Sequence, residues 1–446
     1  MHYNQPYGGY VTENIESQNC CHRHRIKIIG ICLILLIIFA VTLALVLKFI
    51  ILAPKPSETS TATIVTTTQI ITETTKSTTS VQQPLSTTIL PRTTTTSRST
   101  TTTTIPVWPL TGSMNSARFF HKASILANGN ILVAGGTSDG SYTALSSVEV
   151  YNPSTGLWTA TSNMNTARML HTQVTLVNGN VLVAGGTPDG RSALSSVEAY
   201  NPSTGLWTTT GNMNTARYHH TASILTNGNI LVAGGISDGG TGLSSADVYD
   251  PSTGFWTTTG TMNTARYSHT ASIMANGYVL VAGGTIDGST PLSSAEVYNP
   301  STGRWITIDT MSTARYFHTA SILANGNVLV AGGTTDGFTA LSSVEVYNPS
   351  TGLWTTIGTM STGRLLHTQV TLKNGNTLVT GGTAGGSIAL SSAEVYDPST
   401  GLWTTIDTMS IARFYHTVSI LANGNVFVVG GSPDFISALS SAEVYG

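Results

Sequence analysis

Cysteine is nearly missing from this chain. There are three in 446 residues, Cys20, Cys21 and Cys32, all near the N-terminus. The remainder has no thiol for a disulfide, and with more than 300 residues it can bury enough surface without one. Charge is also scarce, at 9% of residues, with 19 Lys and Arg against 21 Asp and Glu. No basic stripe exists of the kind that phosphate backbones need, so nucleic acid is not an expected partner. Apolar residues at helical spacing are missing from the C-terminal three quarters, which argues against helix there. Permitted Asn-X-Ser/Thr sites are missing too, because the recurrent Asn-Pro-Ser carries Pro in the middle position. Any sugar is therefore expected to be O-linked.

What is present is repetition. Trp158, Trp207, Trp256, Trp305, Trp354 and Trp403 follow one another at a step of 49 residues, with Trp108 a step of 50 before them. A period of this size marks a repeat array in which each copy is one supersecondary unit. Within the copy from Ala216 to Met262, four strands are expected: His220 to Leu225, Ile230 to Ala233, Ser245 to Tyr249 and Phe255 to Thr258. Asn227-Gly228, repeated in all seven copies, predicts a type I′ hairpin between the first two. Asp250-Pro251-Ser252-Thr253-Gly254 predicts a tight turn between the last two. The small residues Thr221, Ala222 and Ser223 suit an innermost strand near an axis. The apolar run Ile230 to Ala233 suits a strand buried on both faces. Four-stranded meanders repeated about an axis make a β-propeller.

The paired Gly after an apolar strand, the Tyr closing the third strand and the Trp seven residues later resemble the kelch repeat. They read Gly135-Gly136, Tyr151, Trp158 in the first copy and Gly381-Gly382, Tyr396, Trp403 in the sixth. The wording of the copies is similar to the propeller of galactose-oxidase-type proteins. The likeness covers about residues 107–446 and implies an all-β kelch propeller. Seven Arg (118, 168, 217, 266, 315, 364 and 413) and seven Tyr set the blade count at seven. The last copy ends at Gly446 without a fourth strand, while Val107-Trp108 stands as an orphan fourth strand at the start. The N-terminal strand is expected to pair with the C-terminal blade and close the ring, removing exposed edges.

Residues 1–106 read differently. Ile28 to Leu47 is an uncharged run of bilayer-spanning length, and Arg23, Arg25 and Lys27 precede it. It predicts a transmembrane signal anchor (28–47) behind a cytoplasmic tail (1–27); a cleaved signal peptide normally has a shorter apolar region. Ser and Thr dominate residues 48–106, a composition of disordered stalks that carry O-linked sugar or serve as plain linkers. Cys20 and Cys21 beside the span are candidate S-palmitoylation sites, with free thiols as the alternative. These readings place the protein at the plasma membrane, single-pass and type II, with the propeller outside the cell.

Residues that recur in every copy read as scaffold. The histidines at 121, 171, 220, 269, 318, 367 and 416 begin each first strand. Equivalent positions around a channel stand too far apart for zinc–nitrogen distances of about 2.0–2.1 Å, so neither metal nor cofactor is expected. The seven Arg are expected to meet the acids at 149, 198, 247, 296, 345, 394 and 443 as ion pairs, within or between blades. The alternative is a polyanion channel lined by Arg. Tyr, Trp and Met of the repeat are expected core. Asp139, Asp189, Asp238, Asp287 and Asp336, each before Gly, are expected turn residues rather than calcium ligands.

Binding is expected where copies differ. One such place is the residue pair between Arg and His: Phe119-Phe120, Tyr218-His219, Tyr267, Tyr316-Phe317 and Phe414-Tyr415. The other is the loop between second and third strands, with Tyr142, Arg191, Phe338 and Phe435. Meander connectivity puts both on one face, where aromatic and polar groups can stack on sugar rings or grip a peptide. The resemblance brings catalysis into view, since galactose-oxidase-type enzymes use copper with a Cys-linked Tyr. Here the propeller has no Cys. The expected function is therefore non-catalytic recognition or adhesion at the cell surface, with an extracellular glycan or protein as ligand. The alternatives are a carbohydrate-active enzyme of another type or, with inverted topology, a cytosolic kelch adaptor.

Overall fold

The computed structural model describes residues 108–446. The expected cytoplasmic tail 1–27, span 28–47 and stalk 48–106, with Val107 and the candidate acylation sites Cys20 and Cys21, lie outside the described residues. Seven antiparallel four-stranded sheets follow one another, each a meander. Blade 3 is representative, with strands Thr221–Ile224, Ile230–Ala233, Ala246–Asp250 and Phe255–Thr258. The second strand of every blade is buried along its whole length, as an apolar run without alternation requires.

The Asn-Gly hairpins differ from the expected type. In blade 1 the Gly129 N–H donates to Leu126 O at 2.9 Å, and the Leu126 N–H to Asn130 O at 2.8 Å. Gly129 has φ of 82°, whereas no Asn of these turns has positive φ. A type I′ turn needs positive φ at both central residues. These are instead three-residue loops ending in a left-handed glycine. The Asn side chain closes the turn from within, Asn128 Oδ1 accepting from the Asn130 N–H at 3.0 Å.

The ring closes as expected. Leu110–Thr111 pairs antiparallel with Ala442–Tyr445 and completes blade 7. The strand proper lies two residues beyond Trp108. That residue serves as its anchor: its ring stacks on Tyr445 at 4.8 Å and its Nε1 donates to Asp407 O at 2.9 Å.

Each blade contains one buried Arg–acid pair, at 2.6–3.0 Å. All seven Arg are 0% exposed, so the alternative of an Arg-lined polyanion channel is overturned. The pairing is within the blade, and the guanidinium divides its donors. In blade 4, Arg266 Nη1 donates to Gly283 O and Ser294 O, while Nη2 donates to Ser294 Oγ and Glu296 Oε1. Glu296 accepts in turn from the backbone N–H groups of Asn263 and Thr264.

The Arg backbone reaches across the seam. The Arg266 N–H donates to Leu243 O of blade 3, and its carbonyl accepts from the Gly235 N–H. A Cβ on Gly234, which has φ of 63°, would stand 2.4 Å from that same carbonyl. The first glycine of the pair therefore fills a close approach between blades. Tyr and Trp of the repeat line the outer part of the seam: Tyr249 Oη meets Thr210 Oγ1 at 2.8 Å, and Trp256 Nε1 donates to Gly211 O at 2.8 Å.

Removing residues 108–112 should open the ring and lower the unfolding free energy by at least the ~3–5 kcal/mol typical of truncating one buried Trp, with a correspondingly lower guanidinium midpoint. An unchanged guanidinium midpoint would show that blade 7 does not need its N-terminal strand.

Candidate functional site

The variable pair between Arg and His splits into two structural roles. Its first member points inward. Phe119, Tyr218, Tyr267, Tyr316 and Phe414 are all buried under the loops. Tyr316 Oη donates to Gly288 O of the neighbouring loop at 3.1 Å, and burial pushes the Tyr267 hydroxyl up to about 12. These five expected contact residues stand as pillars beneath the face.

The second member lines the mouth of the central channel. Phe120, Leu170, His219, Ser268, Phe317, Leu366 and Tyr415 all have φ between 51° and 58°. Left-handed backbone costs a bulky L-residue about 1–2 kcal/mol, so something must hold it there. The N–H of Leu170 donates to Phe120 O at 3.2 Å, and that of His219 to Leu170 O at 3.2 Å. The same link joins Ser268, Phe317, Leu366 and Tyr415 in succession. Six bonds thus circle the mouth, one across each seam but one. Between Tyr415 and Phe120 the rings meet instead, edge to face at 4.1 Å. Among the described residues, the only other non-glycine residues with positive φ are Tyr142 and Phe435, on the same face. The fold repeats the backbone geometry seven times and leaves the side chain free to differ.

Around the mouth stand the loops between second and third strands. Blades 5, 6, 7 and 1 carry exposed apolar side chains there: Phe338 (75% exposed), Ile388 (77%), Ile436 (69%) and Tyr142 (39%). Blades 2, 3 and 4 carry the exposed Arg191, glycines and hydroxyl residues at these places. The face is therefore divided into an apolar arc of four adjacent blades and a polar arc of three. The loops brace one another, as where the Gly140 N–H donates to Ile436 O at 2.8 Å. Phe435 is half-buried beneath the arc against Phe414, with ring centroids 4.2 Å apart. Asp189, Asp287 and Asp336 close their own loops, each accepting from backbone N–H groups two and three residues on. These hydrogen bonds hold their carboxyls below the usual range.

Below the mouth lies the histidine ring. His220 Nε2 meets Thr172 Oγ1 of the preceding blade at 2.9 Å, and the same bond crosses five more seams at 2.7–3.1 Å. The scaffold reading of these histidines fits this geometry. Burial pushes all seven well down, His318 to about 3, with neighbouring Arg charges adding to the effect. His219 above them is pushed to about 4. Among the described residues, no group of three or more His, Cys, Asp or Glu is placed to hold a metal ion.

Two family models match this chain. The KLHDC2/KLHL20/DRC7 Kelch-repeats domain matches residues 239–431, and the Kelch motif matches 118–165 and 169–214. This is a kelch propeller. No curated protein sequence matches it. Among solved structures it is similar to a novel fungal alcohol oxidase of the AA5 family in complex with copper, at 17% identity and a TM-score of 0.64. That match covers 77% of this chain and 76% of the other. It is also similar to YjhT, at 14% identity and a TM-score of 0.52, covering 66% of this chain and 99% of that one. At these identities the likeness is one of fold.

Of the expected residues, Phe120, His219, Phe317 and Tyr415 line the cavity at the mouth and Tyr142 and Phe338 are exposed on the surrounding loops; Ile388 and Ile436, not among the expected residues, are exposed on the same loops. Those two were legible as the apolar members of variable loops. Lys122 was passed over as well, though six copies have Thr in its place.

The histidine ring makes stability pH-dependent. Folded, these groups stay neutral well below 6.5; unfolded, they take up protons at about 6.5. The unfolded state binds more protons in that window, so stability is full above pH 6.5 and is lost as pH falls. Each histidine contributes up to about 1.4 kcal/mol per pH unit. The melting temperature should therefore fall between pH 6.5 and 5, above the carboxylate range, with proton uptake on unfolding in calorimetry. A flat profile there would contradict neutral burial.

Proposed function

We propose that this kelch propeller is a non-catalytic recognition module that binds a protein through its apolar arc. The observation that supports it is the segregation of Phe338, Ile388, Ile436 and Tyr142 onto four adjacent blades, on loops braced against one another. Exposed apolar side chains scattered singly are ordinary; gathered on one rim they mark an interaction surface. Aliphatic side chains such as Ile388 and Ile436 suit a protein partner better than a sugar, which asks for planar rings and hydrogen-bonding groups. Kelch propellers in general bind proteins. The strained mouth residues give this face a pre-formed backbone, which lowers the ordering cost of binding.

The chemistry of the face also favours binding over catalysis. Six of the ring histidines are engaged with threonine hydroxyls across seams, and all seven are held neutral by burial. The copper-bound oxidase shares the fold, but this propeller has no cysteine from which to build a Cys-linked Tyr. On the type II reading of residues 1–106, the stalk holds this face outside the cell, toward secreted or cell-surface proteins.

A secreted and cell-surface protein array probed with the propeller should return partners that a Tyr142→Ser, Phe338→Ser, Ile388→Ser and Ile436→Ser variant no longer binds. That variant should keep the wild-type melting temperature, because all four side chains are exposed. Equal binding by the two proteins would exclude this arc.

A further inference from the structure

The repeat is broken once inside the channel. Six blades present Thr at the first position of the innermost strand: Thr172, Thr221, Thr270, Thr319, Thr368 and Thr417. Blade 1 presents Lys122. The substitution removes a seam bond, because every other threonine of the set holds the histidine of the next blade, whereas His171 is buried with neither ring nitrogen engaged. A departure from a local rule with no structural gain points to function.

Lys122 stands in an unusual electrostatic setting. Its surface is open to the bore while protein surrounds it. The titratable groups nearest it are His121, His171, His219 and His220, all held neutral by burial. No carboxylate lines the cavity around it. All ion pairs among the described residues use Arg, so this ammonium has no counter-charge. A single charge in a bore with low-dielectric walls focuses its field on whatever enters. The cavity has a volume of about 310 Å³, at the lower end of small-ligand sites. Its collar is apolar on most sides, with Phe120, Leu170, Phe317, Leu366 and Tyr415. The two ends of the cavity thus ask for different things: a negative group below and an apolar body above.

We propose that the throat of the channel is a binding site for a small monocarboxylate with an apolar body of about one aromatic ring. Its carboxylate pairs with the Lys122 ammonium, and its body sits within the collar. The site is distinct from the apolar arc of the rim and does not depend on it.

Isothermal titration of the full-length protein tests this with phenylacetate and its neutral isostere phenylacetamide. Phenylacetate should bind saturably and phenylacetamide should not. Lys122→Thr should weaken phenylacetate by about tenfold or more, while Lys122→Arg retains it. Lys122→Thr restores the residue of the six other blades, so its melting temperature should equal or exceed that of wild type. Lys122→Gln, which keeps length without charge, should behave like the Thr variant. The rim variant with four Ser should bind phenylacetate as wild type does. No saturable binding by wild type, or equal binding of acid and amide, or equal affinity in Lys122→Thr and wild type, would overturn the proposal.

Discussion

Everything in this propeller hangs from a buried arginine. One guanidinium per blade satisfies the carbonyl of the first glycine of the pair, a serine carbonyl, a serine hydroxyl and a carboxylate. The same residue's backbone makes two hydrogen bonds across the seam to the preceding blade. A buried ion pair contributes little net stability, yet removing one partner costs about 3–5 kcal/mol because it strands a charge. Its effect is to specify geometry. It ties the first strand, the glycine turn and the third strand of one blade together and presents that unit in a single orientation to the next.

The function of the face follows from that constraint. Two residues after each arginine the chain enters the left-handed region, at a cost that only the seam can offset, and six N–H to carbonyl links run round the mouth. Backbone does the structural work there, so side chains are released from it. The repeat can then place Phe120, His219, Ser268 or Tyr415 at one geometric position. One step inward the opposite holds: the histidine–threonine bonds are side-chain bonds, and identity is repeated except at Lys122. Where backbone carries the load, variation is free; where side chains carry it, a single departure stands out.

Much of this was legible from residue spacing. The Trp and Arg periods set the blade number, and the orphan Trp108 set the mode of closure, because a count of strands leaves no other partner for it. The Arg–acid pairing followed from two equal series of charges in a chain with few others. What was not legible depended on direction rather than spacing. Phe119 and Phe120 are adjacent and alike, yet one is pillar and the other mouth: Phe120 itself takes the left-handed conformation and lines the channel cavity, while Phe119 is fully buried. The Asn-Gly turns were placed correctly and given the wrong type, because Asn-Gly also suits a loop in which only Gly takes positive φ. Ile388 and Ile436 carry no aromatic signal, so the aromatic pattern of the variable positions does not mark them although both are exposed on the rim.

Hydrogen exchange in Arg266→Met tests most directly whether the clasp holds the mouth. In the wild type, the mouth amides of Leu170, His219, Ser268, Phe317, Leu366 and Tyr415 should be strongly protected. In the variant, Ser268 and Phe317, which flank the broken clasp, should lose protection while Leu366 and Tyr415 keep theirs. Protection unchanged at all six amides would contradict the account.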